Sequence, residues 1–404
     1  MDLRPDTPHG PERVRVFFVV GTLNIGGTER QLVEVVTRLD RERFEPIVCC
    51  LGPEGPLSEP LSAARIPVHI LNLRGFRKGK GYVQSTIHLV HSVWRLYREL
   101  RASRPHIVHG FLFWAYVIGA YAGRAARVPT IVASRRSLGL FKAHKPVYLI
   151  LERVANRWTD LFVANSAAVR LDTIEREGTD PSRIVVVRNG LDLSQFKTSA
   201  TAPEGDFGSR PRAIVVSNLI HYKGHEYFLR AWPAVLAQFP TATALLVGDG
   251  PMRERLESMA RALGVERSVT FLGTRNDVPA LLSASDVFVH PSLQEGYSNA
   301  ILEAMAAGRP VIAARVGGNV EAIADGETGL LVPPASAEAL AAGMLRVLSD
   351  PSFAATLGAH AEAAVRRSFD IASVVTAYES IYTRLAAGET VRYNQAEELK
   401  RCAV

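Results

Sequence analysis

Cysteine is scarce in this sequence, with three residues among 404. Three cysteines cannot build a disulfide framework, and Cys49, Cys50 and Cys402 show no metal-ligand spacing. Cys49 and Cys50 lie in an apolar run from Ile47 to Leu51, which is typical of a buried strand. The composition therefore indicates a protein of the reducing cytoplasm and argues against a secreted, disulfide-stabilised domain.

Long apolar segments are also scarce. Residues 1–12 are polar and contain no apolar core, so they do not predict a signal peptide. The longest stretch without a charged residue covers 105–123, nineteen residues, a length at which a membrane span has to be considered. Proline, histidine and glycine interrupt it, and Ile107-Val108-His109 predicts a strand. We therefore expect a buried strand, a turn and a helix in this stretch.

Acidic residues are nearly missing from residues 65–145, where fifteen Lys and Arg accompany the single acid Glu99. An ordinary basic surface is one interpretation. The alternative that we favour is a docking face for an anionic partner, either a membrane leaflet or a phosphorylated acceptor. Nucleic acid is not an expected partner, because no nucleic-acid-binding motif accompanies the charge.

Two parts of this basic segment are the strongest candidates for an anion or membrane patch. Arg95, Arg98 and Arg101 recur every three residues in a predicted helix, and we expect them to share one face. The preceding loop is glycine-rich, positively charged and contains one aromatic residue. Its candidate residues are Arg74, Phe76, Arg77, Lys78 and Lys80.

The length of the chain predicts two domains, because a single core rarely extends over 404 residues. Short apolar runs alternate with helical stretches, which is the pattern of a doubly wound α/β protein. Thirteen strands are predicted, seven before a Thr-, Ser-, Pro- and Gly-rich segment and six after it. The predicted division is an N-terminal domain at 1–196, a linker at 197–211, a C-terminal domain at 212–372 and a final helical segment at 373–404.

The stretch from Glu295 to Glu303, Glu-Gly-Tyr-Ser-Asn-Ala-Ile-Leu-Glu, is the most informative part of the chain. It follows a predicted strand at 287–290 and enters a predicted helix, and α/β proteins bind ligands where strands end in this way. Ser298 is the expected N-cap, so the first-turn N–H groups would attract a diphosphate. The predicted ligand-binding residues here are Glu295, Gly296, Tyr297, Ser298, Asn299 and Glu303.

Two further turns follow predicted strands. The first, from Gly21 to Thr28, nearly matches a P-loop, but Gly27 occupies the place of the phosphate-binding lysine, so nucleoside triphosphate hydrolysis is not expected. Gly26 and Gly27 still permit close approach of a ligand to a helix N-terminus. The second turn follows the strand at 213–216 and contains Lys223.

Together with Ser285-Asp286, Pro310-Val311-Ile312, Gly317-Gly318 and Glu321, these motifs resemble the retaining glycosyltransferases of family four, which have the GT-B fold. The resemblance implies an α/β protein of GT-B architecture, with two doubly wound Rossmann-like domains facing a cleft. It implies that the last helix crosses back to the first domain. Glu295 and Lys223 become the catalytic candidates, with Lys223 neutralising the leaving diphosphate of the sugar donor.

The resemblance also implies a nucleotide pocket lined by Gly248, Gly250 and Arg275. Arg253 stands where a dinucleotide fingerprint has its third glycine, so a hydride-transfer cofactor is not expected. At Asn218 the sequence departs from the family, which usually has a second cation there. We expect Asn218 to supply a neutral hydrogen bond to the donor.

A second departure lies after the strand at 129–133, where many relatives have a histidine near the reacting sugar carbon. This chain has Ser134-Arg135-Arg136 instead. Arg135 or Arg136 could hold an acceptor phosphate or a sugar carboxylate, but an arginine cannot act as a general base. His109, at the end of an earlier strand, is a further acceptor-side candidate, with a purely structural histidine as the equal alternative.

The resulting expectation is a glycosyltransferase that moves a sugar from a nucleoside-diphosphate sugar to an acceptor hydroxyl with retention of configuration. Since the sequence has no Asp-x-Asp motif, we expect no metal and no cofactor besides the co-substrate. The acceptor is expected to be a sugar, lipid-linked or phosphorylated molecule, a precursor of a cell-surface glycolipid or polysaccharide. We expect a cytoplasmic protein that can bind the inner face of the membrane. The alternatives are a nucleotide-sugar 2-epimerase of the same fold and a non-catalytic sugar-nucleotide-binding protein.

Overall fold

The computed structural model describes residues 13–73, 82–142, 145–197 and 207–393, except for the side chains of 82–86 and 197. Within these residues the chain forms two compact units. The first comprises the described residues of Met1–Ala164, Asp172–Val187 and Ala372–Gln395, and the second comprises those of Asn165–Leu171 and Arg188–Ile371. Residues that follow Arg188 join the second unit because Leu191 exchanges backbone hydrogen bonds with Phe369 and Ile371.

The first unit is built on a parallel sheet of seven strands in the order β3-β2-β1-β4-β5-β6-β7. Its strands are β1 (Val14–Val20), β2 (Phe44–Cys50), β3 (Val68–Ile70), β4 (Ile107–Phe111), β5 (Thr130–Arg135), β6 (Leu161–Ala164) and β7 (Ile184–Val186). Residues of β1 such as Phe17, Phe18 and Val19 are wholly buried. Burial of this kind is typical of the central strand of a parallel sheet covered on both faces.

The helices of the chain up to β7 connect these strands. They are α1 (Gly27–Arg38), α2 (Ser58–Ala63), α3 (Tyr82–Ser103), α4 (Phe113–Ala126), α5 (Pro146–Trp158) and α6 (Ala167–Glu177). β4 and α4 cover most of the charge-free stretch 105–123, so the predicted strand, turn and helix are confirmed. No helix among the described residues combines the length and the apolar character needed to cross a membrane.

The second unit is built on a parallel sheet of six strands in the order β10-β9-β8-β11-β12-β13. Its strands are β8 (Arg212–Val216), β9 (Thr243–Val247), β10 (Val269–Gly273), β11 (Val287–His290), β12 (Val311–Ala314) and β13 (Leu330–Val332). One apolar cluster, which includes Phe228, Trp232 and Leu246, covers one face of this sheet, and a second, which includes Phe288, Ile301 and Met305, covers the other. The α/β fold class is confirmed, with two Rossmann-like doubly wound sheets.

The remaining helices are α7 (Ser194–Lys197), α8 (His225–Gln238), α9 (Arg253–Ala262), α10 (Val278–Ser283), α11 (Asn299–Ala306), α12 (Asn319–Ala322), α13 (Ala337–Ser349), α14 (Pro351–Ser368) and α15 (Ile371–Ala386). α15 packs on the first unit, where Tyr382 contacts the rings of Phe18 and Phe44. The predicted final helix therefore contributes aromatic side chains to the core beside β1.

In each sheet the strand order reverses between two neighbouring strands, β1 and β4 in the first unit and β8 and β11 in the second. Connections leave such a pair in opposite directions, which opens a crevice at the carboxyl ends of the two strands. The loops after β8 and β11, residues 217–224 and 291–298, contain the most informative motifs of the sequence. The fold therefore places these loops together at the switch point of the second unit.

Candidate functional site

The loops after β8 and β11 are held together by close backbone contacts. Gly224 has a φ of 71°, and a Cβ atom there would overlap the carbonyl oxygen of Pro291. Gly317 has a φ of 46°, and its Cβ would overlap the carbonyl oxygen of Glu295. Because only glycine permits both the left-handed backbone and this approach, the two glycines fix the loop that contains Glu295 from both sides.

An ion pair joins the two loops. The ammonium of Lys223 donates a hydrogen bond of 2.6 Å to Oε2 of Glu295, and the side chains are only 16% and 11% exposed. Burial raises the pKa of Glu295, but Lys223 and the hydrogen bond from His290 outweigh it and bring the pKa to about 2. Glu295 is therefore a buried carboxylate at neutral pH, in contact with Lys223, the other catalytic candidate of the sequence analysis.

Two buried histidines, which the sequence analysis did not identify, lie next to this ion pair. Nε2 of His290 is 3.0 Å from Oε2 of Glu295 and 3.1 Å from Oγ of Ser292. Nε2 of His225 is 3.1 Å from Oγ of Ser217. Burial lowers the pKa of both, that of His225 to about 3, so both rings are neutral at pH 7. The available signal was the position of His290 as the last residue of a switch-point strand.

The helix that follows the loop begins as predicted. Ser298 is the N-cap of α11, and its hydroxyl accepts a hydrogen bond from the N–H of Ile301. Nδ2 of Asn189 donates to Oδ1 of Asn299, which ties the first residue of the helix to the chain around Asn189. Glu303 lies in the second turn and is half-buried. The first-turn N–H groups and the Glu303 carboxylate therefore belong to one short helix beside Glu295.

The predicted nucleotide-pocket residues lie along the next strand ends. The carbonyl of Asp249 accepts a hydrogen bond from the N–H of Leu219, so the turn containing Gly248 and Gly250 packs on the loop after β8. Asn218 is exposed in that loop. The guanidinium of Arg275 is bound by the Asp277 carboxylate at 2.6 and 2.7 Å. Asn218 is therefore accessible, whereas Arg275 forms an ion pair with a neighbouring residue.

In the first unit, the glycine loop ends at α1, whose N-cap is Gly26. The carboxylate of Glu29 folds back against Gly26, so closely that a Cβ on residue 26 would overlap it. Burial raises the pKa of Glu29, opposed by its own N–H and by Arg136. The positive end of α1 therefore already has an internal carboxylate beside Gly26 and Gly27, a feature that the sequence analysis missed.

Two acceptor-side candidates of the first unit need correction. His109 is fully buried, with Nδ1 2.8 Å from the Tyr382 hydroxyl and Nε2 2.9 Å from Oγ of Ser134. Burial lowers its pKa to about 3. His109 is a structural histidine with both ring nitrogens paired, which is the alternative that the sequence had left open. Arg135 is also buried, and its guanidinium is bound by Glu177, so neither side chain is presented to an acceptor.

Arg135 belongs to a buried charge network together with Lys142, Glu152 and Glu177. Nη2 of Arg135 and Nζ of Lys142 each donate to Glu177 at 2.8 Å, and Nζ of Lys142 donates to Glu152 at 2.6 Å. The four side chains are 3–8% exposed. Burial alone would raise the pKa of Glu177, but Arg135 and Lys142 lower it to about 2. We name these four residues the buried charge network.

Arg136 is also buried, and burial lowers its pKa, while Tyr378 and Glu29 act in the opposite direction. Arg136 is as buried as Arg135, and its neighbour Glu29 lies at the glycine loop of the first unit. Its acceptor-side role stays a prediction. The anion or membrane patch predicted at Arg74, Phe76, Arg77, Lys78 and Lys80 lies outside the described residues.

The family models match both parts of the chain. The model described as Glycosyltransferase Family 4 matches residues 25–195, and the model described as Glycosyl transferases group 1 matches residues 210–350. The second match contains both switch-point strands of the second unit, β8 and β11, and the first contains β4 and the start of α1 in the first unit. They agree with the assignment made from the Glu295–Glu303 motif.

Individual proteins agree with the family models. The chain is 27% identical to a glycogen synthase of Mycobacterium tuberculosis over 387 residues, which covers 90% of this chain and 92% of that protein. It is 28% identical to an Escherichia coli UDP-Gal:alpha-D-GlcNAc-diphosphoundecaprenol alpha-1,3-galactosyltransferase, with 81% and 86% covered. Among solved structures, Anabaena HepE in complex with UDP-glucose has a TM-score of 0.78 and 25% identity, with 92% and 100% covered.

Proposed function

This chain is a GT-B glycosyltransferase that acts on nucleotide sugars, and we propose that it transfers a hexosyl unit from a UDP-sugar to a hydroxyl of a lipid-linked glycan with retention of configuration. The observation that carries the proposal is the Lys223–Glu295 pair at the switch point beside the N-terminus of α11. A buried cation and the free end of a helix are the groups that bind a diphosphate.

The proposed division of roles follows from the charges. Lys223 meets the diphosphate of the donor, where negative charge grows as the bond to the sugar breaks. The first-turn N–H groups of α11 and the exposed amide of Asn218 supplement that cation. Glu295 and Glu303 accept hydrogen bonds from hydroxyl groups of the sugar and the ribose. In this scheme Lys223 performs the charge neutralisation for which other transferases use a metal.

We propose a UDP-sugar donor and a lipid-linked acceptor because similar proteins bind or use such molecules. HepE was crystallised with UDP-glucose, and the name of the E. coli relative specifies a diphosphoundecaprenol acceptor. The decisive experiment is a thermal-shift screen of nucleotide sugars followed by transfer to a synthetic prenyl-diphosphate sugar. We expect stabilisation by a UDP-hexose, since a ligand stabilises the form that it binds. Proton NMR of the product should show the anomeric configuration of the donor.

Other outcomes would favour the two alternatives. Conversion of the free nucleotide sugar without any acceptor would indicate a 2-epimerase. Donor binding without transfer or slow donor hydrolysis would indicate a non-catalytic binding protein, a possibility raised by Asn218. An inverted product would contradict the retaining mechanism while leaving the transferase assignment in place.

Replacing Glu303 with alanine is expected to weaken donor binding by roughly 1.5–3 kcal/mol, because charge-assisted hydrogen bonds from hydroxyl groups are lost. Isothermal titration calorimetry with the donor measures the change. The matched control is Glu254→Ala, which removes an exposed carboxylate from α9 of the same unit. An unchanged dissociation constant for Glu303→Ala, with a normal melting temperature, would remove Glu303 from the donor site.

A lipid-linked acceptor requires access to the membrane, and we propose that α3 provides it. Ile87, Val90 and Trp94 follow one face of this helix and are 63%, 65% and 50% exposed. Arg98 and Arg101 continue the exposed face, and the Arg98 guanidinium lies 5.1 Å from the centre of the Trp94 ring. We name these five residues the α3 surface. Apolar and basic residues on one exposed helix face are suited to an anionic leaflet.

The prediction that Arg95, Arg98 and Arg101 share one face is wrong for Arg95. Its guanidinium donates to the carbonyl of Leu71 at 3.0 Å. A spacing of three residues falls short of a full helical turn of 3.6 residues, so residues that repeat at this spacing drift around the helix. Of the three arginines, Arg98 and Arg101 are exposed and Arg95 is half-buried.

The α3 surface predicts sedimentation with phosphatidylglycerol-containing vesicles and not with purely zwitterionic ones. Arg98→Ser with Arg101→Ser should weaken binding about tenfold or more, since each basic residue near an anionic surface contributes about 1 kcal/mol. The double variant Ile87→Ser with Val90→Ser should weaken vesicle binding most at high salt, where charge attraction is screened and apolar contacts contribute the rest of the binding. Leu171→Ser, an exposed apolar residue outside α3, is the control. Equal binding by all variants would contradict this surface.

A further inference from the structure

The Glu295 carboxylate has two partners on the same oxygen atom. Oε2 accepts from Nζ of Lys223 at 2.6 Å and lies 3.0 Å from Nε2 of His290. His290 is almost completely buried at the end of β11, where its ring stacks on Phe288 with the centroids 6.0 Å apart. The imidazole is therefore held in a fixed place beside a carboxylate that already has a lysine.

The hydrogen bond fixes the tautomer of His290. An ionised carboxylate only accepts hydrogen bonds, so Nε2 must bear the proton that points to Glu295. Nδ1 of the neutral ring is then an acceptor, and it is buried without a hydrogen-bond partner among the described residues. Nδ1 of His290 can therefore take up a proton while Nε2 keeps its hydrogen bond to Glu295.

In the proposed function, binding of the sugar donor changes the surroundings of Glu295. If Lys223 turns toward the diphosphate, Glu295 loses its nearest cation but stays buried. A buried carboxylate without a partner is costly, because the protein has removed its hydration without replacing it. His290 is already within hydrogen-bond distance and needs no rearrangement to remain the partner of Glu295.

We propose that His290 is a positioning residue that holds Glu295 in place when Lys223 moves to the donor diphosphate, and that His290 takes up one proton from solvent in that step. This inference rests on the proposed function and deepens it. The proton adds to Nδ1, so a neutral imidazole becomes an imidazolium that pairs with Glu295. No bond to the sugar is made or broken in this step.

The charged groups that face His290 determine whether donor binding raises or lowers its pKa. They are Glu295 on its own loop, Lys223 in the loop after β8, and the neutral ring of His225 at the start of α8. In the free protein, burial and Lys223 lower the pKa of His290, while Glu295 raises it. A bound diphosphate neutralises Lys223 and adds negative charge nearby. The donor complex therefore favours the protonated ring, and donor affinity should rise as the pH falls.

Calorimetry at pH 6.5 tests this in buffers of different ionisation enthalpy, such as MES and imidazole. The probe is whichever of UDP-, ADP- and GDP-glucose binds, because the phosphates of these sugars do not titrate near neutral pH. The binding enthalpy of the wild type should depend on the buffer in the direction of proton uptake. His360→Gln, which removes an exposed histidine of the second unit, should keep that dependence.

Two variants separate the hydrogen bond from the proton. His290→Gln keeps an N–H donor but cannot become charged, so it should bind the probe with a buffer-independent enthalpy. His290→Phe keeps the ring and lacks the donor, so it should weaken binding about tenfold or more, because Glu295 then keeps no protein partner in the complex and has only a hydroxyl group of the donor. If the phenylalanine variant does not fold, the glutamine variant decides the question alone.

The experiment distinguishes failure of the proposed function from failure of the role of His290. If no sugar nucleotide binds, the proposed function fails and this inference fails with it. If the wild type binds a sugar nucleotide with a buffer-independent enthalpy, or if His290→Gln shows the same proton uptake as the wild type, the role of His290 is overturned and the donor site remains.

Discussion

Lys223→Ala is expected to lower kcat/KM by about 10²–10³-fold, by analogy with the removal of one donor from an oxyanion hole. Lys223 lies in the loop after β8, where its side chain is only 16% exposed. The charge on the leaving diphosphate grows as the bond to the sugar breaks, so a cation there stabilises the transition state more than the bound donor. We therefore expect the loss mainly in kcat, and a larger loss of turnover than for Glu303→Ala.

Steady-state kinetics with the donor identified by the thermal-shift screen measures this effect. The control is the melting temperature, because removal of Lys223 also leaves the buried Glu295 with one partner fewer. A loss confined to KM would indicate that Lys223 acts in donor binding alone. A chelator should leave wild-type activity unchanged. Loss of activity with chelator and its recovery with added metal would refute the metal-free mechanism.

The fold was predictable because its signals are local. All thirteen predicted strands occur among the described residues, within two residues of their expected ends. Strands buried on both faces appear as continuous apolar runs, and here glycine, proline or a helical stretch separates one run from the next. The compact units depend on contacts between distant segments, such as Leu191 with Phe369. No local pattern indicates such contacts.

The site was predictable as two loops but not as a set of contacts. Ser298 was recognisable as an N-cap from a polar residue placed before an apolar helix. The pairing of Lys223 with Glu295 follows from the adjacency of β8 and β11, which the sequence alone does not order. His290 belonged to an apolar run, so nothing local distinguished a hydrogen-bonded histidine from one that only fills the core.

The error at Arg135 has a geometric cause. The strand predicted at 129–133 extends to Arg135 in the structure, so Arg135 is its last residue and not part of the following loop. Its side chain points into the helical layer, where Glu177 and Tyr116 surround it. A shift of two residues at a strand end therefore turned an expected acceptor ligand into part of the protein interior.

Glu177→Gln is expected to destabilise the first unit by about 3–5 kcal/mol, because removing one partner leaves buried charges without compensation. Glu177 binds both Arg135 and Lys142. Glu152 also contacts both, at 3.5 and 2.6 Å, but without Glu177 it supplies one negative charge for two buried cations. Urea unfolding monitored by circular dichroism measures the loss. Glu175→Gln changes an exposed glutamate of the same helix, α6, and should have little effect. Equal stability of the two variants would mean that an amide satisfies the network as well as the carboxylate does.

The pH dependence of stability provides the second test of this network. Glu177 has a pKa of about 2 in the folded protein, against an ordinary value of 4.5. A depressed pKa means that the unfolded chain binds the proton more tightly, so the stabilisation is complete above about pH 4.5 and declines as the pH falls toward 2. Glutamine cannot titrate, so the stability of Glu177→Gln should fall less steeply across this interval. Parallel curves for the two proteins would show that acid unfolding begins at other carboxylates, and that the ion pairs of Glu177 do not control the acid stability of the first unit.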